Sequence, residues 1–405
     1  MLLFYFLAAV SIWFGIQSLL SGLRYANYIR RETSKLLPNF TPFVSVIAPS
    51  RGLEPGLEEN VRSLLEQDYP AFEILFVFDN ASDSAAEAIA KLHQKYPNAN
   101  AHTVIAGPAT DSGQKVHNLR AATAEVSAQS EVIVFVDTDA RPGPDWLRQL
   151  VAPLAHQELG ASSGYRWFVP LEGGLPSRLR SVWNASVASA LGADRKKNFC
   201  WGGSTAIRKS VFDKLHIRDR WRGSVSDDFT VTRVLQEASL PIHFTPACLV
   251  PSVGDCDFNE LLKFTTRQIK ITRVYAPHLW KPVLLGGFLF AITFFGGIAL
   301  LVWRIMTGMP YSILLGILSL IFLLGAAKAF IRWRVVRIPL SKYRRELNRD
   351  LAAQLLLWPF TSLLYLYNAI AAAFSRRIAW RGITYELKSP TEAVIISRDL
   401  SDVSK

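Results

Sequence analysis

The sequence has little charge and little cysteine for its 405 residues. Charged residues make up 19% of the chain and hydrophobic residues 50%, a balance that excludes intrinsic disorder. Three cysteines, at positions 200, 248 and 256, are too few and too irregularly spaced for a disulfide framework or a zinc site. No G-x-G-x-x-G or P-loop motif follows the first predicted strand, which argues against dinucleotide and ATP-type phosphate sites.

The apolar residues are concentrated in four runs, at residues 2–20, 283–303, 311–331 and 351–374. Each run is close to the roughly 20 apolar residues that cross a bilayer. The first has no basic segment before it and no A-x-A cleavage signal after it, so residues 1–23 are predicted to be a transmembrane anchor rather than a signal peptide. The sequence therefore predicts a multi-pass membrane protein.

Basic residues set the predicted orientation. Arg24, Arg30, Arg31 and Lys35 follow the anchor, which by the positive-inside rule places the next segment in the cytoplasm. The membrane would be the bacterial inner membrane or, in a eukaryote, that of the Golgi or endoplasmic reticulum. The basic stretch 332–350 is also predicted to be cytoplasmic and to contact anionic lipid.

The last apolar run, 351–374, contains Pro359 near its middle, where proline can break a helix. If this run crossed the bilayer, the basic tail 375–405 would lie outside, against the positive-inside rule. We therefore predict a re-entrant or interfacial hairpin and a cytoplasmic tail, and a transmembrane placement is the alternative.

Residues 38–262 contain no membrane-length apolar run and predict one cytoplasmic domain. Within it, short apolar segments alternate with helical periodicity, which is typical of right-handed βαβ units and a mainly parallel sheet covered on both faces. The predicted strands are 43–50, 72–79, 102–107 and 131–140, and the predicted helices between and after them include 57–67 and 84–96.

A cationic segment, 263–282, separates this domain from the two transmembrane helices predicted within 283–331. Lys263, Arg267 and Lys270 fall on one helical face, so the segment is predicted to be a helix in the headgroup layer. The formal charge of +12 is concentrated beside the membrane spans, which argues against nucleic acid as a partner.

Three of the predicted strands end in candidate ligand-binding residues: Pro49 and Ser50, Asp79, and Asp137 and Asp139. In parallel α/β sheets the ligand lies at this carboxyl edge. Two carboxylates at i and i+2 can approach one Mg²⁺ or Mn²⁺, which also accepts the oxygens of a diphosphate. The alternative is that this D-x-D caps a helix or a turn.

Lys115 lies between the third and fourth strands and is either a diphosphate contact or an ordinary solvated lysine. Asp79 is either a nucleotide contact or part of an Asx turn with Asn80. Both residues are donor-side candidates.

Two further groups are acceptor-side candidates. A helix is predicted to begin after Ser226, so Asp227 and Asp228 either cap it or form a carboxylate pair in which one member is a general base. Trp201 and Gly202 lie in a predicted tight turn beside an open surface, where the ring could stack on a sugar; plain loop packing is the alternative.

Together these residues resemble the family-2-type glycosyltransferases, and more closely the family-21-type ceramide glucosyltransferases and their bacterial relatives, which include hopanoid-associated glycosyltransferases. That branch has three separated aspartates, which fall here on Asp79, Asp137 and Asp228. Its (Q/R)-x-x-R-W motif falls on residues 267–271, where Lys270 and Ile271 replace the family's Arg-Trp. Lysine keeps the charge and loses the bidentate guanidinium. Other matching segments are 51–70, 113–119, 201–212 and 380–387.

The resemblance implies a GT-A type, mixed and mainly parallel, Rossmann-like α/β domain between N-terminal and C-terminal membrane helices. It implies an inverting enzyme of glycolipid and sphingolipid biosynthesis that moves a hexose from a UDP-sugar to a hydroxyl of ceramide or a similar membrane lipid. Glucose is the leading candidate for the hexose.

In this scheme Asp79 holds the nucleotide, and Asp137 and Asp139 bind it through the divalent metal. Arg267 and Lys270 compensate the diphosphate charge, and Asp228 is the base. The rival functions are a polysaccharide synthase, a polyprenyl-phosphate or diacylglycerol glycosyltransferase and a catalytically degenerate membrane scaffold.

Overall fold

The computed structural model describes residues 1–399. Ten strands are found within them: β1 (Val44–Pro49), β2 (Phe72–Phe78), β3 (Ala101–Ile105), β4 (Val132–Phe135), β5 (Ala161–Val169), β6 (Thr205–Arg208), β7 (Ile242–Val253), β8 (Arg377–Trp380), β9 (Ile383–Ser389) and β10 (Glu392–Arg398).

Sixteen α-helices are found in the same residues: α1 (Leu2–Thr33), α2 (Leu57–Leu65), α3 (Ser84–His93), α4 (Gln114–Glu125), α5 (Trp146–Val151), α6 (Leu175–Ala188), α7 (Lys209–Lys214), α8 (Ile217–Arg220), α9 (Asp227–Glu237), α10 (Phe258–Tyr275), α11 (Pro277–Phe290), α12 (Gly296–Met306), α13 (Ser312–Val336), α14 (Arg344–Arg349), α15 (Leu351–Leu356) and α16 (Trp358–Phe374). A π-helical turn, Ala291–Phe295, joins α11 to α12.

The chain forms two compact units. The sheet unit contains residues 31–168 and 191–254 together with the described residues from Arg376. The helical unit contains residues 1–30, 169–190 and 255–375. The predicted domain 38–262 is therefore divided, because 169–190 and 255–262 belong to the helical unit. There the ring of Trp183 stacks on that of Tyr365 at 4.7 Å.

The sheet unit contains a mixed seven-stranded sheet in the order β3-β2-β1-β4-β6-β5-β7. The first four strands are parallel, whereas β6 pairs antiparallel with β4. The predicted α/β class with a mixed, mainly parallel sheet is thus confirmed. Because β1 lies between β2 and β4, the carboxyl ends of these three strands lie side by side at one edge.

Alternating residues of the parallel strands build two cores. Val46, Phe76 and Val134 face one side of the sheet, and Ile47 and Leu75 face the other. This period-2 pattern explains why the strands read as continuous apolar runs, since both faces are covered. Helices α2, α3 and α5 pack on the first face, and α4 and α9 pack on the second.

Three stretches of residues 1–399 are long and apolar enough to cross a membrane: Leu2–Thr33, Pro277–Met306 and Ser312–Val336. They correspond to the first three predicted runs, with α1 and α13 extending further into the basic flanks than predicted. The predicted run 351–374 is two helices that meet at Leu357, and Pro359 lies in the first turn of α16. Its re-entrant placement stays a prediction.

The basic segment 263–282 is not one helix. α10 ends at Tyr275, Ala276 leaves the helical conformation (φ −140°, ψ 65°), and α11 starts at Pro277. Proline restricts the residue before it and has no N–H for a continuing helix, which explains the break. Lys263, Arg267 and Lys270 all lie on α10, so the cationic face remains on one helix.

The segment predicted only as a cytoplasmic tail, 375–405, contains a folded element. Strands β8, β9 and β10 form an antiparallel sheet that belongs to the sheet unit, and Ile383, Tyr385 and Leu387 of β9 are buried. The last six residues, 400–405, lie outside the described part of the chain.

Candidate active site

The carboxyl ends of β1 and β4 are linked by hydrogen bonds. The Thr138 hydroxyl donates to the Pro49 carbonyl and to Ser50 Oγ, each at 3.3 Å. Thr138 lies between Asp137 and Asp139, so the D-x-D directly adjoins the end of the first strand. The predicted donor-binding residues Pro49, Ser50 and Asp137 and the predicted metal ligand Asp139 are thus brought together.

Asp137 and Asp139 are held by two cations. Lys115 Nζ lies 2.7 Å from Asp137 Oδ1. Arg166 on β5 donates to Asp137 Oδ2 at 3.1 Å and to Asp139 Oδ2 at 3.3 Å. Burial opposes ionisation of Asp137, but Lys115 and Arg166 outweigh it and lower the pKa of this carboxyl. Asp137 is therefore charged at neutral pH.

Lys115 follows the first residue of α4 and its side chain is only 16% exposed, so the solvated alternative is wrong. Its ammonium group also lies 3.3 Å from Asp227 Oδ2. Burial disfavours the charged amine, yet Asp137 and Asp227 together raise the pKa of Lys115 above its usual value. Lys115 thus contacts one acid after β4, Asp137, and one acid of α9, Asp227.

Asp227 and Asp228 open α9, as predicted, and Ser226 caps it by accepting the Phe229 N–H. The two carboxylates then differ. Asp227 is 4% exposed, and burial raises its pKa to about 6 against the partial offset of Lys115. Asp228 Oδ1 accepts from Ser226 Oγ and, at 2.8 Å, from the Phe229 N–H, so its orientation is fixed by the helix start.

Trp201 and Gly202 are buried, so the predicted open surface beside this turn is wrong. The Trp201 ring is 7% exposed and packs in the sheet core, and the Arg166 guanidinium lies 4.9 Å from its centre. Packing and the cation therefore occupy the ring that could have stacked on a sugar. Gly202 fits because any Cβ there would collide with the Asp227 carboxylate and lie 2.8 Å from Lys115 Nζ.

Asp79 follows β2 and lies 3.5 Å from Arg51 Nε. Nε and Nη1 of Arg51 are buried and have no hydrogen-bond partner among the described residues. The Asx turn that was the alternative is made by Asn80 alone, whose Oδ1 accepts the Ser82 N–H at 3.0 Å. The Asp79 carboxylate thus takes no part in that hydrogen bond and remains a nucleotide candidate.

Arg267 and Lys270 are the two predicted donor-side residues that the sheet unit does not contain. Both lie on α10 of the helical unit. The Arg267 guanidinium lies 5.7 Å from the centre of the Phe264 ring, and burial lowers the pKa of Lys270. Their contact with a diphosphate stays a prediction.

The strand-end acids suit a divalent cation. Asp139 Oδ1 is buried and has no hydrogen-bond partner in the described chain. Such a carboxylate oxygen can coordinate a hard metal ion. Residues 1–399 contain no group of three His, Cys, Asp or Glu side chains able to hold a metal alone. Mg²⁺ and Mn²⁺ fit such a two-carboxylate site when substrate phosphates complete the coordination.

Arg166 is the site residue that sequence reasoning missed. It interrupts β5, a strand whose ends are buried, with a charge that is only 12% exposed at its side chain. Because an arginine is almost never buried without an acid, a lone arginine inside an apolar strand could have indicated a partner at the D-x-D.

The family model for glycosyl transferase family 21 matches residues 3–393, so the chain belongs to that family. The resemblance described from the sequence is thereby confirmed.

Two curated relatives come from Caenorhabditis elegans. The chain is 28% identical over 267 residues to "Ceramide glucosyltransferase 1", covering 62% of this chain and 54% of that protein. It is 21% identical over 244 residues to "Ceramide glucosyltransferase 3", covering 59% and 52%. The chain thus spans about half the length of the curated relatives that it matches.

One similar solved structure is "Mannosyltransferase PcManGT from Pyrobaculum calidifontis in complex with GDP-Man and Mn2+". The match has a TM-score of 0.49 and 19% identity, and it covers 91% of this chain and 98% of that one.

Proposed function

We propose that this protein transfers a hexose from a UDP-sugar to the hydroxyl of a membrane lipid, with inversion at the anomeric carbon. Glucose is the leading candidate for the sugar, and ceramide or a ceramide-like lipid is the leading candidate for the acceptor. The observation that carries the proposal is the convergence of Asp137, Asp139 and Asp227 on Lys115 and Arg166 at the carboxyl edge of the parallel strands. Family membership and the names of the curated relatives support it.

The cluster contains three acids, Asp137, Asp139 and Asp227. They face two cations, Lys115 and Arg166, so the cluster has one negative charge in excess when all five groups are ionised. Asp137 and Asp139 would hold Mg²⁺ or Mn²⁺, which supplies the charge that neutralises a diphosphate leaving group. Asp79, with Pro49 and Ser50 beside it in the sheet, would bind the nucleotide, and Lys115 would contact the diphosphate.

On the acceptor side, Asp228 would take the proton of the lipid hydroxyl as its oxygen attacks the anomeric carbon and the bond to the diphosphate breaks. Its carboxylate is suited to this because Ser226 Oγ and the Phe229 N–H hold one oxygen and so fix the direction of the other. Asp227 would keep Lys115 in place.

The lipid would reach the site from the cytoplasmic leaflet of the membrane. The three apolar helices support a bilayer location, and the cationic face of α10 suits the headgroup layer. Arg267 and Lys270 on that face would add positive charge for the donor diphosphate.

The test uses full-length protein purified in detergent with Mn²⁺ or Mg²⁺, a panel of UDP-sugars, and ceramide, diacylglycerol and polyprenyl phosphate as acceptors. Lipid products are identified by mass spectrometry. We expect a hexosyl ceramide, and a product on another acceptor would instead identify one of the rival transferases.

Asp228→Asn should lower transfer by about a thousandfold while UDP binding changes by less than about threefold, because the base acts only on the acceptor. Asp213→Asn, which removes an exposed acid from α7 of the same unit, is the matched control and should retain activity. Full activity in Asp228→Asn would remove this residue from the base role. UDP binding without any transfer would favour the degenerate scaffold, and absence of UDP binding would refute the proposal.

A further inference from the structure

The C-terminal sheet, residues 377–398, contacts two loops that carry the candidate active-site residues. The loop 107–113 leads into α4 and so precedes Lys115. The loop 221–226 leads into α9 and so precedes Asp227 and Asp228. Both loops and the C-terminal sheet belong to the sheet unit.

The contact to the first loop is made by Tyr385 of β9. Its hydroxyl accepts the backbone N–H of Gln114, the first residue of α4, at 3.1 Å. The first N–H groups of a helix have no partner within the helix, and Gly113 at the N-cap has no side chain to supply one. Tyr385, which is only 2% exposed, therefore supplies the hydrogen-bond acceptor that a capping side chain would otherwise supply at the start of α4.

The side chain of Gln114 closes the same loop on itself. Its Oε1 accepts the Ala109 N–H at 2.9 Å, and its Nε2 donates to the Gly107 carbonyl at 2.8 Å. Arg398 of β10 adds a second contact from the C-terminal sheet by donating to the Ala109 carbonyl. Two strands of that sheet thus hold the loop whose end sets the position of Lys115.

The contact to the second loop is made at the turn between β9 and β10. Gly223 has a φ of +73°, and a Cβ at this position would collide with the Thr391 carbonyl. The two loops are also joined to each other, because the Gly113 N–H donates to the Ser224 carbonyl at 2.8 Å. The C-terminal sheet and both loops therefore form one hydrogen-bonded and close-packed assembly.

We propose that the C-terminal sheet is a positioning element of the transfer site, which holds both loops so that Lys115 reaches Asp137 and Asp227 at the same time. It rests on the proposed function, because the role of Lys115 toward a diphosphate is part of that proposal. The sheet acts through the loops and does not itself supply a catalytic residue.

The main test compares two Tyr→Phe variants of the full-length protein. Tyr385→Phe removes the acceptor of the Gln114 N–H and keeps the ring. Tyr69→Phe is the matched control, because Tyr69 is also buried in the sheet unit and donates to the Pro42 carbonyl at 2.8 Å. Both variants should lower the melting temperature similarly, whereas only Tyr385→Phe should weaken UDP-sugar binding, by about tenfold.

A double-mutant cycle separates positioning from general destabilisation. If Tyr385 acts through Lys115, then Tyr385→Phe should weaken UDP-sugar binding in the wild-type background and have little further effect in Lys115→Met. Additive effects in the double variant would overturn the proposal.

Hydrogen exchange tests the proposal without any ligand. Tyr385→Phe should increase amide exchange in residues 107–119 and 221–229 at least about tenfold, and Tyr69→Phe should leave these segments unchanged. Unchanged protection in Tyr385→Phe would refute the positioning role even if the enzyme transfers sugar. Wild-type protein that binds no UDP-sugar would refute the proposed function, whatever the exchange data show.

Discussion

Two pairs of aspartates meet at the candidate site, and they come from different kinds of structure. Asp137 and Asp139 follow a strand and share one cation, since Arg166 bonds to both. Asp227 and Asp228 are adjacent residues at a helix start, and within residues 1–399 no cation pairs with both: Asp227 faces Lys115, and Asp228 accepts from the cap residue Ser226.

Backbone geometry explains the difference. Asp137 and Asp139 lie in a turn after β4, closed by the bond from the Ala140 N–H to the Asp137 carbonyl at 3.1 Å, and this turn lets one cation contact both carboxylates. Neighbouring residues of a helix are rotated by about 100°, so one carboxylate can be buried against Lys115 while the other stays at the helix end. The local backbone conformation, a turn in one case and a helix start in the other, therefore decides whether two acids share a partner or act as two separate groups.

The largest effect is expected from breaking the strand-end pair. Asp137→Asn would remove the charge that both Lys115 and Arg166 contact, and transfer should fall by about a thousandfold. Mn²⁺ binding, measured by electron paramagnetic resonance, should fall in parallel. Asp145→Asn, an exposed acid in the segment after the same strand, should change neither. If Asp137→Asn kept a tenth of the activity or more, the strand-end pair would not be the metal and diphosphate site.

A smaller effect should follow from displacing Asp227 without removing it. In Gly202→Ala the new methyl group would collide with the Asp227 carboxylate and approach Lys115, which should lower kcat by roughly ten- to a hundredfold. Gly143→Ala is the matched control, because nothing lies within 4 Å of a Cβ there. Steady-state kinetics of both variants decide the point, and equal activities would show that the fit of Gly202 against Asp227 does not matter for transfer.

The smallest effect concerns stability and pH. Burial raises the pKa of Asp227 from an ordinary 3.8 to about 6, so the folded state holds this proton more tightly than the unfolded state. The resulting stabilisation is complete below pH 4 and is lost as the pH rises through 6. At pH 8 Asp227→Asn should therefore be more stable than wild type by up to about 3 kcal/mol, and the gain should vanish near pH 4.

Melting temperatures in detergent with EDTA, measured from pH 4 to 8, test this expectation. Asp145→Asn should follow the wild type at every pH, because that carboxylate is exposed. A constant offset between Asp227→Asn and wild type would show that burial of the charge does not govern stability here.

Much of the fold follows from local patterns in the sequence. Continuous apolar runs identified β1, β2 and β4, and the residues after them identified the edge where Pro49, Ser50, Asp137 and Asp139 meet. The start of α9 after Ser226 follows from the preference of serine for the N-cap. These predictions succeeded because each depends on neighbouring residues only.

The errors involve contacts between residues distant in sequence. Arg166 pairs with acids 27 and 29 positions earlier, and nothing local requires that pairing. Trp201 has the composition of a sugar-stacking residue and is instead enclosed by the core and Arg166. The C-terminal sheet was not predicted. Ile383, Tyr385 and Leu387 alternate with polar residues, which is the pattern of a strand with one buried face, but nothing in the sequence shows which core that face would pack on.

The order in which the chain is made gives the C-terminal sheet a further consequence. The ribosome completes residues 31–168 and 191–254 of the sheet unit, then all the helices of residues 255–375, and only then β8, β9 and β10. At about 5–20 residues per second, the loops before α4 and α9 stay uncovered for about 7–30 seconds after Gly254 is made, until β10 is complete. We expect the nascent protein to become competent only after its apolar helices and the strands β8, β9 and β10 have been synthesised.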